Sequence, residues 1–197
     1  EFNMENGVLK KIQEDYSNKK LVFFDVRACF GYYSRLIEEI SESEVYTFEP
    51  FVGHFMYLEK NTRKYSQADK QWVITKKLIG NTNTNKMISL DSFCEKNNVY
   101  PDLMKIDVDG AELGVLAGCK QIISRNKTNF LIEFDGKDIK NWNISFIEYI
   151  ENTFGNNYDI EYLKDVHINS EKWEKDISLI KEDELMNDIY IHARVKN

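Results

Sequence analysis

Hydrophobic positions along the 197-residue chain fall into short blocks of two alternating kinds. Leu9, Ile12 and Tyr16 recur three and four apart, the spacing of a short leading helix within residues 4–20. Residues 21–26 (LVFFDV) form a compact apolar run suited to a strand buried on both faces. Tyr33, Leu36, Ile37 and Ile40 return to helical spacing; residues 45–49 read as a second strand, and Phe51, Phe55 and Leu58 stripe a further helix. Residues 72–75 supply a third strand, with Trp72 as a core residue at its start. Residues 103–107 supply a fourth, followed by a helix with Leu116, Cys119 and Ile123 on one side. Residues 129–134 form a fifth strand, and Phe146, Ile150 and Phe154 stripe another helix.

The end of the chain differs. Ile189, Ile191, Ala193 and Val195 alternate with Tyr190, His192, Arg194 and Lys196, the period-two pattern of a strand with one wet face. Strands alternating with helices predict an α/β fold, a mostly parallel sheet with helices on both faces. The last strand is expected to be an antiparallel member near one edge. No solenoid repeat is present, and the polar stretch at 80–85 reads as a loop rather than a boundary, so residues 1–197 are expected to form a single domain. Glu1, Phe2 and Asn3 read as a cloning remnant ahead of a natural start at Met4.

Composition narrows the class. With 26 Lys+Arg against 33 Asp+Glu the net charge is −7 and the pI about 5.1, which argues against nucleic acid as a partner. Hydrophobic residues at 42% and charged residues at 30% exclude a disordered chain. No apolar run approaches the roughly 20 residues of a membrane span. Cys29, Cys94 and Cys119 have no paired spacing, so neither a disulfide framework nor a zinc site is expected; Cys94 and Cys119 read as apolar fillers of helices. Without a signal-peptide pattern, a cytoplasmic location is expected. His54, His167 and His192 show no ligand spacing, and His192 on the polar face of the last strand is expected in solvent.

In an open parallel sheet, ligands bind beyond the carboxyl ends of the strands where the strand order reverses. Asp25, Glu49 and Asp107 each end a strand there. Any one of them reads as a helix cap; the three together read as a site. Residues 25–34 (DVRACFGYYS) turn from strand into helix around Gly31, and Glu49 follows Asp25 by 24 residues. That is close to the roughly 20-residue spacing at which an acid grips ribose hydroxyls. Neither G-x-G-x-x-G nor a P-loop is present, which favours a nucleoside-like ligand with little or no phosphate. Residues 105–112 (KIDVDGAE) place four charged positions at a strand end, with Gly110 allowing the turn.

These segments resemble the FkbM-type family of S-adenosylmethionine-dependent methyltransferases. Residues 105–112 match that family's K-I-D-V-E-G-x-E signature, and residues 113–118 continue it as L-x-V-L-x-G. Phe48-Glu49-Pro50 matches its second-strand pattern, residues 89–93 (SLDSF) its run before the fourth strand, and residues 130–133 (FLIE) its acid-tipped fifth strand. The first motif departs from the family's D-V-G-A-N-x-G-x-x-S: Arg27 stands for the first Gly and Cys29 for the Asn, while Asp25, Val26, Ala28, Gly31 and Ser34 match. Arg27 has three available fates: blocking the pocket, swinging to solvent, or pairing with the cofactor carboxylate.

The resemblance implies a Rossmann-like methyltransferase sandwich with a seven-strand sheet, and S-adenosylmethionine as cofactor. Its contacts would be Asp25, Arg27, Ala28, Gly31, Tyr32, Ser34, Glu49, Pro50 and Asp107. It further implies methyl transfer to a hydroxyl of a small molecule or saccharide. Asp107 would face the methyl or amino group, with Glu112 and Glu133 as secondary catalytic candidates. Asp107, Asp109, Glu112, Glu133 and Asp135 have an order compatible with Mg²⁺, but the resemblance demands no metal and none is assigned. Trp142 and Trp173 line a substrate mouth or pack on the surface, and residues 171–186 form a packing helix or a lid, packing being favoured. Acceptor specificity is expected in residues 81–86 and beyond Phe134. Two rivals stand: a degenerate, non-catalytic binding protein of the same fold, motivated by Arg27 and Cys29, and a nucleotide-dependent oxidoreductase.

Overall fold

A computed structural model describes residues 7–65, 72–140, 142–164, 172–180 and 188–196. The most apolar run forms the centre of a sheet: β1 (Lys20–Val26) pairs in parallel with β2 (Glu42–Phe48) on one side and β6 (Leu103–Ile106) on the other. Beyond β2 lies β3 (Val73–Thr75), and beyond β6 lies β7 (Asn129–Phe134), all parallel. The far edge reverses, with β9 (Ile189–Val195) antiparallel to β7 and β8 (Tyr158–Lys164) antiparallel to β9. The order is β3-β2-β1-β6-β7-β9-β8. This is a Rossmann-like methyltransferase sheet, seven-stranded and mostly parallel, with antiparallel strands at one edge. Two short strands, β4 (Leu78–Ile79) and β5 (Met87–Ile88), form a separate ladder around the polar loop at 80–86.

Strand alternation divides the core between two faces. Phe24, Met104 and Ile132 pack on one side with Phe93 of α4 (Leu90–Asn97), Leu116 of α5 (Glu112–Ala117), Ile122 of α6 (Lys120–Ser124) and Ile150 of α8 (Phe146–Phe154). Phe23, Leu103 and Leu131 pack on the other with Val8 and Ile12 of α1 (Gly7–Tyr16), Leu36 and Ile37 of α2 (Tyr32–Ile40) and Leu58 of α3 (Val52–Tyr65). Each such fully buried side chain contributes about 1.5–3 kcal/mol. Cys94 and Cys119 are fully buried fillers, as expected. The run at 89–93 has a structural cause: Ser89 Oγ accepts the Ser92 amide at 3.2 Å and caps α4, while the Asp91 carboxylate accepts the Gln121 and Ile122 amides, both at 3.0 Å, and anchors α6.

Several expectations are corrected. The polar face of β9 is only partly wet: Tyr190 and His192 are buried, Tyr190 against Tyr33 and Glu133, and His192 with Nε2 2.8 Å from the Tyr16 hydroxyl of α1, whereas Lys196 is exposed. Strand β8 went unread because Asp159 and Glu161 interrupt its apolar positions; Glu161 is nonetheless buried, with Lys11 Nζ at 2.8 Å and Arg194 at 3.1 Å. Phe51 precedes α3 and is exposed rather than part of a buried stripe, and Phe55 is half-buried. Residues 172–180 form no helix; Glu174 bridges to Tyr162 and Ile177–Leu179 make a 3-10 turn. The remainder of that predicted segment, residues 1–6 and His167 lie outside the described residues.

Candidate cofactor crevice

The turn from β1 into α2 hangs on the end of β2, where the amides of Arg27 and Ala28 both donate to the Phe48 carbonyl, at 2.8 and 3.1 Å. Arg27 has φ 65°, Cys29 φ 53° and Gly31 φ 83°. The backbone thus keeps the left-handed shape that suits Gly and Asn, while carrying an Arg and a Cys at the first two of these positions. Six non-glycine residues with positive φ occur among the described residues. Three are asparagines; the other three, Arg27, Cys29 and Asp109, all lie at the carboxyl ends of β1 and β6. Strain of about 1–3 kcal/mol per residue is characteristic of functional turns. Gly31 is required twice over, because a Cβ there would sit 2.7 Å from the Trp72 ring and 2.9 Å from Leu58.

Glu49 is fully buried at the tip of β2. Its Oε2 accepts the Cys29 amide at 2.9 Å and its Oε1 the Phe51 amide at 2.8 Å, across the turn made by half-buried Pro50. The acid expected to grip a ribose therefore fastens the two loops that flank the crevice, with lone pairs left over. Asp25 is also sealed. Its Oδ2 accepts both the Ser34 amide (3.2 Å) and the Ser34 hydroxyl (2.6 Å), so these two residues fix the first turn of α2 from inside the wall. That corrects their expected direct exposure to the cofactor. Ala28 is buried beneath the loop, and Tyr32 is exposed at its rim.

Lys105 faces Asp25 in register across β1 and β6. Its buried ammonium donates to Asp107 Oδ2 at 2.8 Å and lies 4.7 Å from the Tyr33 ring centroid. Burial alone would pull this lysine down, but Asp25 and Asp107 outweigh it and hold its pKa above the ordinary value. Burial pushes the Asp25 carboxyl up, with Lys105 and Ser34 opposing. Arg27 crosses from β1 to the loop beyond β6, pairing with Asp109 and approaching Asp107 to 3.8 Å; its side chain is 25% exposed. Arg27 thus bridges the ends of β1 and β6, partly open to solvent.

Glu133 ends β7 on the same face. It accepts from the Tyr190 hydroxyl, which lies 3.3 Å from that of Tyr33. Burial, then the Asp107 charge, push its pKa above the usual carboxylate value, against the Tyr190 bond and Lys105. Glu112 stands apart. It is 1% exposed, and its Oε1 accepts the Gly110 amide at 3.0 Å, so it closes its own turn instead of reaching substrate. Gly110, at φ 96°, admits Asp138 where a Cβ would collide at 2.2 Å. Asp135 caps α7 (Gly136–Ile139) by accepting the Lys137 amide. Among the described residues, no three His, Cys, Asp or Glu side chains converge as a metal site.

The structure therefore brings Arg27, Asp107, Asp109 and Glu133 together around one mouth and leaves Asp25, Ser34, Glu49 and Glu112 as its internal braces. Lys105, Tyr33 and Tyr190 complete the site without having been singled out. A lysine inside an apolar strand was the available signal for the first, since a buried ammonium requires acids beside it. Cys29 Sγ lies 3.7 Å from His54 Nδ1, and burial followed by Glu49 pushes its thiol up. Trp142 packs among Phe134, Phe146 and Tyr149 and also borders a surface hollow, whereas Trp173 packs on His192 and donates to the Gly7 carbonyl.

A family model described as the methyltransferase FkbM domain matches residues 54–166. Similar solved structures include methyltransferase FkbM from Methylobacillus flagellatus KT, with TM-score 0.61 and 17% identity over 89% of this chain. The chain spans 43% of that protein. An rRNA methylase from Streptococcus thermophilus matches with TM-score 0.62 and 8% identity, covering 96% of this chain and 95% of that one. TrmK from M. capricolum, solved with S-adenosyl-homocysteine, matches with TM-score 0.55 and 14% identity, covering 96% and 68%. At these identities the likenesses concern the fold. No curated protein sequence matches the chain. No helix among the described residues is long and apolar enough to cross a membrane.

Proposed function

The chain belongs to the FkbM methyltransferase family, and from that premise we propose that it uses S-adenosylmethionine to methylate a hydroxyl of a small molecule or saccharide. The observation that carries this is the retained left-handed backbone at Arg27 and Cys29, clamped by Glu49, beside the acidic tip of β6. Non-glycine residues held in left-handed backbone cluster at ligand-binding turns, so an Arg and a Cys in glycine-like and asparagine-like conformations support a ligand seat here. The residues fit the cofactor in kind: a turn shaped by buried Glu49 at one end, and a cation and acids at the Arg27–Asp107 end. When bound, S-adenosylmethionine supplies an electrophilic methyl group on a sulfonium.

In this account Glu49, fully buried, shapes the ribose side through its hold on the Cys29 and Phe51 amides. Arg27 leaves Asp109 to admit the methionyl portion, which its partial exposure permits. Asp107, held in place by Lys105, faces the amino group. Glu133, with its raised pKa and its Tyr190 bond, receives the proton of the acceptor hydroxyl. The bridge between Arg27 and Asp109 also favours a second reading, a binding protein of the same fold whose pocket stays shut. Incubation with methyl-labelled S-adenosylmethionine and a panel of saccharide and small-molecule alcohols separates the two. Stable label in an acceptor, lost in Glu133→Gln while cofactor binding persists, supports the enzyme; cofactor binding without transfer to any member supports the binding protein.

A further inference from the structure

The outer face of α3 and the neighbouring loop tip carry a joined apolar surface. Phe30, Phe51, Val52, Met56 and Tyr57 are each 48–63% exposed. They are contiguous: the Phe30 ring lies 5.6 Å from Tyr57 and 5.2 Å from His54, and Phe51 lies 5.9 Å from His54 on centroids. Asn61 Nδ2 donates to the Phe30 carbonyl at 2.8 Å and ties the loop tip to the helix. Single exposed apolar residues are ordinary, whereas a joined cluster of this kind marks an interaction surface.

The same side of α3 then changes character. Four-residue steps from Val52 and Met56 lead to Lys60, and Arg63 follows within the next turn. Met56, Glu59, Lys60, Arg63 and Lys64 line an open hollow of about 330 Å³. An aromatic and aliphatic patch thus runs directly into a cationic hollow, on a chain of net charge −7. That pairing is selective. An anionic bilayer offers phosphates for the hollow and acyl boundary for the rings. The net charge of −7 opposes such a bilayer on average, so the cationic hollow favours approach by this face.

We propose that α3, with Phe30 and Phe51, docks peripherally on an anionic lipid surface, the rings entering the headgroup boundary and Lys60 and Arg63 pairing with phosphate. Phe30 sits between Cys29 and Gly31, so docking sets the mouth of the crevice against the bilayer. The proposal rests on surface geometry and not on methyl transfer.

The test is co-sedimentation of the chain with phosphatidylcholine vesicles that contain or lack phosphatidylglycerol. Binding is expected to the anionic vesicles, weakening as salt is raised. The double variant Lys60→Ala/Arg63→Ala should lower the partition coefficient about 25-fold, and Phe51→Ser/Met56→Ser about tenfold. These exposed positions leave the fold intact, which circular dichroism checks. Absence of binding to anionic vesicles at low salt overturns the proposal, as does unchanged partition in both double variants. It is also overturned if the lipid-free chain is a dimer that Met56→Glu dissociates, since the patch then belongs to a second copy. Cofactor titration is independent of all these outcomes.

Discussion

Arg27, at the end of β1, forms an ion pair with Asp109, beyond the end of β6, and thereby spans the carboxyl edge of two adjacent parallel strands. Both residues hold left-handed backbone conformations to do so. The contact is partly solvated, and exposed pairs of this kind contribute about 0–1 kcal/mol. Strain at the two backbones is of similar or larger size. The bridge is therefore weakly held, which suits a group that must move when ligand arrives.

Arg27→Gly removes the bridge and the strained φ together. It is expected to raise affinity for S-adenosylmethionine about tenfold, some 1.4 kcal/mol, with stability unchanged or higher by about 1 kcal/mol. Calorimetry and urea denaturation measure the two effects. A fall in affinity would instead assign Arg27 to the cofactor carboxylate.

Glu49→Ala deprives the half-buried Cys29 and Phe51 amides of their acceptor. Charge-assisted hydrogen bonds contribute about 1.5–3 kcal/mol each, so the denaturation midpoint should drop by the equivalent of about 3 kcal/mol and cofactor binding should fail. Glu49→Gln keeps one acceptor and should fall between. An unchanged midpoint in the alanine variant would show that the clamp is not what shapes the loop.

Two glycines of neighbouring elements respond oppositely. Gly31→Ala places a methyl against Trp72 and Leu58 at φ 83°, and should cost about 2 kcal/mol or more. Gly53→Ala, in α3 with open space around it, should stabilise by about 0.5 kcal/mol. Thermal melts of the two variants decide this; equal shifts would contradict the packing described under the loop.

Away from the crevice, His192 of β9 is enclosed by Tyr16, Asp15 and Lys11 of α1, Glu161 of β8 and its own strand's Arg194. Burial pulls its pKa below 6.5, although Glu161 and Asp15 oppose this. Glu161 is held down to about 2, chiefly by the neighbouring His192 ring, whose Nδ1 lies 3.9 Å from its Oε2, with Lys11 and Arg194 adding to it against burial. Both groups bind protons less readily folded than unfolded, so acid favours unfolding. The His192 contribution is complete above about pH 6.5 and declines as the pH falls through its lower folded value. That of Glu161 is complete above about pH 4.5 and is lost toward pH 2. His192→Gln should flatten the first limb and also shrink the second, since Glu161 loses the partner that lowers it most. Urea midpoints across this range test it, and an unaltered first limb in the variant would remove His192 as its source.

The parts of the molecule legible in the sequence were those fixed by local pattern. The run at 21–26 and the acids at Asp25, Glu49 and Asp107 declared strands and their carboxyl ends, because a strand buried on both faces admits polarity only where it leaves the sheet. What stayed hidden depended on partners remote in sequence. Glu161 looked like a break in an apolar segment until Lys11 and Arg194 neutralised it. Tyr190 and His192 alternated as if wet, yet Tyr33 of α2 meets the first and Tyr16 of α1, at the opposite end of the chain, the second. Glu112 and Glu133 were indistinguishable as acids; only the turn around Gly110 and the hydroxyl of Tyr190 assign one to structure and the other to the mouth.

The measurement closest to the central claim is calorimetric titration of the unmodified chain with S-adenosylmethionine, in parallel with Arg27→Gly. Saturable heat corresponding to one ligand per chain, tighter in the variant, is the predicted result. Heats equal to dilution for both proteins at ligand on the order of millimolar, where even Kd values near that level register, would contradict a cofactor seat between the tips of β1, β2 and β6.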